Sequence, residues 1–153
     1  MPRQSAGLLM YRRTSQGIQV LLVHPGGPYW EHKDLGAWSI PKGEYAEPEA
    51  PLTAAQREFH EETGFTATGP FIPLTPIKQR GGKIVTAWAV EGDVDPAMAR
   101  SNTFVLEWPP RSKSYKTFPE VDRVAWFDLP RAREKILAGQ IPLLDELARH
   151  VGE

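Results

Sequence analysis

Residues 43–65 read G-E-Y-A-E-P-E-A-P-L-T-A-A-Q-R-E-F-H-E-E-T-G-F, and this stretch contains the most clearly marked helix of the chain. Pro51 suits the first helical position, because the N–H that proline lacks would have no partner there. Gly64 suits the position just past the end of the helix, where glycine is common. The pattern therefore predicts a helix over 51–63 with a loop on each side.

Three carboxylates share one face of this predicted helix, at spacings i, i+3 and i+4: Glu58, Glu61 and Glu62. Like charges at these spacings repel each other by roughly 0.2–0.5 kcal/mol per pair, and the last turn of a helix disfavours carboxylates. Arg57 can relieve Glu61 one turn later, but one cation does not offset three anions. A solvated acidic face is one interpretation. The other is a site for Mg²⁺, which prefers carboxylate, water and phosphate oxygens.

The spacing of the whole stretch resembles the Nudix box, the sequence motif of the Nudix hydrolases. The matching positions are Gly43, Glu49, Arg57, Glu58, Phe59, Glu61, Glu62, Gly64 and Phe65. At residue frequencies of about 7 % each, a chance match in a chain of this length is roughly one in a million. The resemblance implies an α/β (α+β) fold, namely an α/β/α sandwich around a mixed β-sheet, in which the box forms a loop–helix–loop.

The family resemblance also implies roles for the box residues. The implied metal ligands are Glu58, Glu61 and Glu62. They would hold Mg²⁺, with Mn²⁺ as an alternative, and one of them, with Glu58 as the candidate, can instead orient or deprotonate water. Arg57 would pair with Glu49 and hold the loop against the helix, as metal sites need such support. The implied structural supports are Gly43, Glu49 and Gly64.

Family members often recruit a further glutamate from beyond the box, as a metal ligand or a general base. Glu120 is the candidate here, because F-P-E-V-D-R-V-A-W-F resembles a late family pattern in which such a glutamate precedes a tryptophan-bearing strand. Asp122 is the neighbouring alternative, and Glu120 can also be an ordinary turn residue. The predicted catalytic residues are Glu58, Glu120 and Arg57, and Glu120 is a predicted metal ligand as well.

Three residues are predicted to bind substrate: Lys42, Lys83 and Tyr115. Lys42 lies directly before the box, where it can meet phosphate as a point charge. Its W-S-I-P-K-G segment resembles the lead-in of dinucleoside polyphosphate hydrolases and of diphosphoinositol polyphosphate hydrolases. Lys83 flanks a predicted hairpin together with Lys78 and Arg80, and solvated charges are an equal interpretation for these three.

Tyr115 lies in a polar loop with three cations, which are Arg111, Lys113 and Lys116. Such a loop can stack a base on the tyrosine ring and hold phosphates with the cations. Trp30 and His32, in an earlier loop, form a second candidate base clamp. The sequence therefore leaves several segments outside the box as alternatives for substrate binding.

The other elements are predicted from two signals, the periodic placement of apolar residues and the turn residues between them. Strands are predicted over 5–13, 18–24, 37–40, 71–80, 83–91, 103–108 and 121–127. Loops are predicted over 25–36 and 109–119, and further helices over 130–138 and 143–150.

The bulk composition bounds the class of protein. A chain of 153 residues suits one domain, taken as 1–153. A net charge of −1 gives no extended nucleic-acid surface, and no stretch approaches the roughly 20 apolar residues of a membrane span. The absence of cysteine fits a reducing cytoplasm without proving it. We expect a cytoplasmic monomer or homodimer whose partner is a small-molecule nucleotide substrate.

The function predicted from these residues is metal-dependent hydrolysis of a phosphoanhydride bond by attack of water on phosphorus. The leading substrate is a nucleoside diphosphate-linked molecule such as diadenosine tetraphosphate. The first alternative is a nucleoside triphosphate pyrophosphohydrolase of the housecleaning kind. The second is a non-catalytic Nudix domain that binds a nucleotide or a protein, although such domains often lack box residues and this box is complete.

Overall fold

Seven strands form one mixed sheet in the computed structural model, which describes residues 3–152. The strands of the chain are β1 (Gln4–Thr14), β2 (Gly17–Pro25), β3 (Lys42–Glu44), β4 (Phe71–Pro73), β5 (Ile77–Lys78), β6 (Ile84–Glu91), β7 (Thr103–Glu107), β8 (Tyr115–Pro119) and β9 (Val121–Asp128). The main sheet has the order β4-β6-β1-β2-β9, with β3 added to β1 and β5 to β6. Among the strands of residues 3–152 only β1 and β6 pair in parallel, and β7 and β8 form a separate antiparallel ribbon.

Helices cover both faces of the sheet. They are α1 (Pro51–Thr63), α2 (Leu129–Lys135) and α3 (Ile141–Val151). Alternate side chains of β1 point to opposite faces, so Leu8 packs with Phe59 of α1, whereas Leu9 packs with Leu147 of α3. Burying Phe59 completely contributes about 1.5–3 kcal/mol. This arrangement is the α/β/α sandwich that the sequence predicts, and the core cluster of Leu8 and Phe59 fixes the orientation of α1.

The sheet splits between β1 and β2, and residues 38–44 fill the gap. The two strands pair only from Tyr11 and Val20 to their connecting turn. Farther from the turn, Ser39 exchanges two backbone hydrogen bonds with Val23, at 2.9 and 3.0 Å. On the other side β3 pairs with the start of β1, where Gly7 is needed because a Cβ there would lie 2.5 Å from the carbonyl oxygen of Pro41. The segment that leads into α1 is therefore built into the sheet.

The predicted helix over 51–63 is confirmed residue for residue, with Gly64 left-handed at its end (φ 80°). The later helices are shifted by one to three residues at their ends. The predicted strand over 71–80 is wrong in part, because Leu74 to Pro76 interrupt it and leave two short strands. The predicted strand over 37–40 is reduced to isolated bridges at Trp38 and Ser39.

The predicted loop over 109–119 is also wrong in its second half, because residues 115–119 form β8. This strand pairs only with β7, so neither its sequence alternation nor its burial resembles that of a core strand. No helix within residues 3–152 is long and apolar enough to cross a membrane.

Candidate active site

The three box glutamates emerge from the last two turns of α1, beside the segment that fills the gap in the sheet. Glu58 is nearly buried, at 9 % exposure, with its carboxylate packed on Gly43. Glu62 accepts a hydrogen bond of 3.2 Å from the backbone N–H of Lys42. Glu61 is partly exposed. The acidic face of the helix is thus turned toward β3.

Arg57 holds the acidic residues together. Its Nε and Nη2 donate to the two carboxylate oxygens of Glu49 at 2.8 and 2.9 Å, the paired geometry that arginine offers and lysine cannot. Its Nη1 donates to Glu58 at 2.5 Å and to Glu61 at 3.1 Å. These bonds hold the pKa of Glu49 below its usual value and raise the pKa of Arg57. One guanidinium therefore ties the loop before the helix to two of the three box glutamates.

The site lacks enough positive charge for its carboxylates. Burial raises the pKa of Glu62 to about 8, with further increases from the nearby carboxylates of Glu58 and Glu120. Burial also raises the pKa of Glu58, against the opposing effect of Arg57. Lys42 opposes the rise in the pKa of Glu62, whereas burial and the neighbouring charge of Lys83 lower the pKa of Lys42 itself. A hard divalent cation fits these oxygen donors.

The carboxylates are near one another but are not grouped around a common point. Within residues 3–152, no three acidic or histidine side chains already stand close enough together to hold an ion. The reason is visible in the contacts: Glu58 and Glu61 are turned to Arg57, whereas Glu62 is turned to the backbone of Lys42.

Glu120 lies between β8 and β9, across the smaller cleft from Glu62 of α1. Its carbonyl oxygen accepts from the N–H of Gly26 at 2.8 Å, and its own N–H donates to the carbonyl of Asn102 at 2.8 Å. Glu120 lines the same cleft as Glu62 and Lys42. The structure thus brings the glutamate predicted beyond the box to the box helix.

Asp122, the alternative to Glu120, is engaged elsewhere. Its Oδ1 lies 2.7 Å from Nδ1 of His24, a side chain with no exposed surface. This contact ties the Asp122 side chain to β2, and Asp122 also lines a cleft that Glu62 borders.

Two clefts meet at Glu62 and Val121, which line both of them. The smaller cleft, about 220 Å³, lies under the loop over 25–36 and includes Lys42, Trp30 and Glu120. The larger cleft, about 580 Å³, follows the outer edge of β9. It includes three cations that the sequence pattern does not single out: Arg100, Arg123 and Lys135. They come from separate segments, so only the fold brings them together.

The predicted substrate-binding residues are dispersed. Lys42 lines the smaller cleft, and Lys83 lies beside it with its Nζ 3.8 Å from a carboxylate oxygen of Glu44. Tyr115 is 66 % exposed on the β7–β8 ribbon. It faces away from the loop over 25–36, because the opposite face of the ribbon carries the stacked rings of Phe104 and Phe118 against Gly27.

Of the second candidate base clamp, the structure brings only Trp30 to the cleft. Its ring is 37 % exposed and carries the ammonium of Lys33 at 5.2 Å from its centroid. His32 is exposed on the same loop, and Lys78 and Arg80 are exposed at the far edge of the sheet.

Comparisons with known proteins agree with this geometry. The family model described as NUDIX domain matches residues 1–147. An Ap4A hydrolase from C. elegans, solved as a binary complex, is 22 % identical, covers 98 % of each chain and has a TM-score of 0.66. The NUDIX domain of Shewanella oneidensis NrtR, solved with ADP ribose, is 17 % identical, covers 100 % of this chain and 90 % of that one, and has a TM-score of 0.67.

A curated relative, an octanoyltransferase from Myxococcus xanthus, is 30 % identical over 101 residues. The match covers 66 % of this chain, which spans only a quarter of that relative's length. At these identities the solved structures show a shared fold, and the family model shows the family. Because the family model matches nearly the whole chain, the chain belongs to the NUDIX domain family.

Proposed function

We propose that this protein is a magnesium-dependent pyrophosphohydrolase that cleaves a dinucleoside polyphosphate, with diadenosine tetraphosphate as the leading substrate. The observation that carries the proposal is the meeting of two clefts at Glu62, with Glu120 lining the smaller cleft and Glu58 close enough to raise the pKa of Glu62. A scissile phosphate placed there has room for a nucleoside-sized group on either side.

The metal ligands would be Glu58, Glu61 and Glu62, and Glu120 would be a further ligand if the base is Glu58. Bound there, Mg²⁺ would neutralise charge on the phosphate oxygens during the displacement, and Mn²⁺ has the same preference for oxygen ligands. Arg57 acts as a positioning residue, because it fixes Glu58 and Glu61 relative to the loop through Glu49. Gly43 makes room for Glu58.

Glu120 is the proposed general base. It approaches the junction from β9, opposite the helix that carries the box glutamates, so it can take a proton from water on the side away from the box. Glu58 is the alternative base within the box. Its carboxylate already accepts from Arg57 at 2.5 Å, which lowers its availability to a water proton.

Phosphate binding falls to the cations at the clefts. Lys42 is placed in the smaller cleft, and Arg100 and Arg123 line the larger one. A volume of about 580 Å³ is within the range of ligand-binding pockets. Trp30 offers a ring at the mouth of the smaller cleft for stacking of a base. Tyr115 would take part only if the ribbon turned toward the cleft.

A panel of nucleotides, incubated with Mg²⁺ and separated by chromatography, tests the proposal. Diadenosine tetraphosphate should yield a mononucleotide plus the complementary nucleoside polyphosphate, and the reaction should stop when the metal is chelated. Nucleoside triphosphates that give monophosphate and pyrophosphate at higher kcat/KM would make the protein a triphosphate pyrophosphohydrolase. Nucleotide binding by equilibrium dialysis without turnover on any panel member would make it a non-catalytic domain.

A further inference from the structure

The main chain around Glu120 is held by hydrogen bonds on both sides. The N–H of Glu120 donates to the carbonyl oxygen of Asn102 at 2.8 Å, and its own carbonyl oxygen accepts from the N–H of Gly26 at 2.8 Å. The next N–H, that of Val121, donates to the hydroxyl oxygen of Ser101 at 2.9 Å. Both peptide groups that flank Glu120 are therefore fixed, and with them the direction in which its side chain leaves the backbone.

Ser101 joins these bonds into one unit. Its hydroxyl donates to the carbonyl oxygen of Asn102 at 2.7 Å, and this is the same oxygen that accepts from Glu120. A hydroxyl can donate one hydrogen bond and accept another, so it serves the Asn102 carbonyl and the Val121 N–H together. Without the hydroxyl, the N–H of Val121 would lose its acceptor at a residue that is only 7 % exposed. One side chain thus closes the contact between residues 101–102 and 120–121.

The same segment holds the end of the box helix. The last carbonyls of an α-helix have no partner within the helix. In α1 the carbonyl oxygen of Glu61 accepts from the N–H of Asn102 at 2.8 Å, and that of Thr63 accepts from the N–H of Arg100 at 2.8 Å. Gly64 permits this approach, because a Cβ there would lie 3.0 Å from the carbonyl oxygen of Arg100. Residues 100–102 therefore cap the turn of helix that carries the last box glutamates.

A single residue connects the two sides of the site along this path. Asn102 donates through its N–H to the carbonyl of Glu61 and accepts through its carbonyl from the N–H of Glu120. Carboxylates that act on one cation and one water must keep a fixed separation, since a misplacement of about 1 Å can cost about 10²-fold in rate. The hydrogen bonds of residues 101–102 are placed to maintain that separation.

We propose that Ser101 is a positioning residue that fixes the distance between Glu120 and the box glutamates of α1. Ser101 also borders the larger cleft, but its hydroxyl is already engaged by Val121 and Asn102, so it acts through Glu120 and not on the substrate. The functional part rests on the proposed role of Glu120 as general base, whereas the hold on the main chain does not.

The first test measures amide hydrogen exchange by NMR on the full chain without metal. Ser101→Ala removes the hydroxyl and should speed exchange at the Val121 amide by about threefold or more. The amides of Arg100 and Asn102 should keep their wild-type rates, because their acceptors on α1 are unchanged. Wild-type exchange at Val121 in the variant would overturn the proposal and leave the role of Glu120 untouched.

The second test is kinetic. Ser101→Ala should lower kcat by about 10–100-fold while changing KM by less than about threefold, because the displaced group acts on the reacting water. Ser101→Thr keeps the hydroxyl and should recover most of the loss. A higher KM with kcat retained in Ser101→Ala would make Ser101 a substrate contact, and a threonine variant as impaired as the alanine variant would remove the hydroxyl from the positioning role.

Thr14→Ala is the matched control. The Thr14 hydroxyl makes the same pair of bonds at the turn between β1 and β2, accepting from the N–H of Gln16 at 3.1 Å and donating to the carbonyl of Gly17 at 2.8 Å. Its loss should leave kcat at the wild-type value. A kcat loss in Thr14→Ala equal to that in Ser101→Ala would make the effect of Ser101 one of general stability.

A double-mutant cycle separates this proposal from the one on which it rests. In a Glu120→Gln background, Ser101→Ala should lower kcat by less than about threefold, since both changes act through one group. Equal losses in the two backgrounds would overturn the positioning role. If Glu120→Gln is damaging and Ser101→Ala is silent, Glu120 stays the base and the positioning role is wrong. If Glu120→Gln itself is silent, the general-base proposal fails and the functional part fails with it.

Discussion

Gly43 and Glu58 occupy adjoining space, with no room for a side chain between them. A Cβ built on Gly43 would lie 1.9 Å from Oε1 of Glu58 and 2.1 Å from its Cδ. The position requires glycine because of this contact, at the point where β3 leads into the box loop. The position of the Glu58 carboxylate, a predicted metal ligand, therefore depends on a residue fifteen positions earlier in the chain.

Gly43→Ala should displace Glu58 and lower kcat by at least about tenfold, with a loss of about 1–3 kcal/mol in the free energy of unfolding from overpacking. Steady-state kinetics and urea unfolding measure the two effects. Gly139→Ala is the control, because the nearest atom to its new Cβ would be 3.5 Å away. Wild-type kcat in Gly43→Ala would show that Glu58 does not need this position.

Arg57→Ala should cost both activity and stability. The variant loses the paired bonds to Glu49 and leaves Glu58 and Glu61 without their cation, so we expect a loss of roughly 1–3 kcal/mol in unfolding free energy. Arg57→Lys should recover only part of it, because an ammonium cannot make the paired contact. Calorimetry and kcat/KM check the result. A variant with unchanged Tm and turnover would remove Arg57 from the support of the site.

Glu62→Gln should stabilise the metal-free protein, and more so at higher pH. Burial raises the pKa of Glu62 to about 8 in the folded state, from 4.5 for an exposed glutamate. Between these two values the folded chain holds a proton that the unfolded chain has released, so stability falls as pH rises. Glutamine removes this loss. In chelator, Tm of the variant should exceed that of the wild type by roughly 5 °C at pH 8 and by about 2 °C or less at pH 5.

The same variant should lose most activity with Mg²⁺, and added Mg²⁺ should raise its Tm less than it raises the wild-type Tm. A lower Tm than the wild type in chelator at pH 8 would instead make Glu62 a structural residue.

Glu120→Gln should lower kcat by about 10²–10⁴-fold with KM nearly unchanged, because the amide keeps the size of the side chain and removes its basicity. Asp122→Asn is the matched control. Its amide oxygen can still accept from His24, so the effect should be much smaller. Both variants are to be measured on one nucleotide at saturating Mg²⁺. The reverse ranking would move the general base to Asp122, and two silent variants would move it to Glu58.

The parts of the site that were predictable are those encoded locally. Pro51 and Gly64 mark the two ends of the helix over 51–63. The helical spacing of its glutamates then places them on one face. The ion pair of Arg57 with Glu49 spans eight residues, within the same local segment. The family resemblance implied that this ion pair supports the site, and the structure gives the geometry of the pair.

The sequence could not show how differently the side chains of Glu120 and Asp122 are placed. The difference depends on a bulge in the pairing of β2 with β9, and on a contact from His24 to a residue 98 positions later. His24 ends a run of five consecutive buried residues in β2, so no periodicity marks it. The sequence does not predict β8 for a related reason. Four of its five residues are exposed, so the strand has no alternating apolar pattern.

The junction of the two clefts has a consequence for the order of events after cleavage. A bond broken at Glu62 leaves one product in the smaller cleft and the other along the edge of β9. Neither product then lies in the path of the other, so they can leave in either order. Each product alone should therefore compete with the substrate.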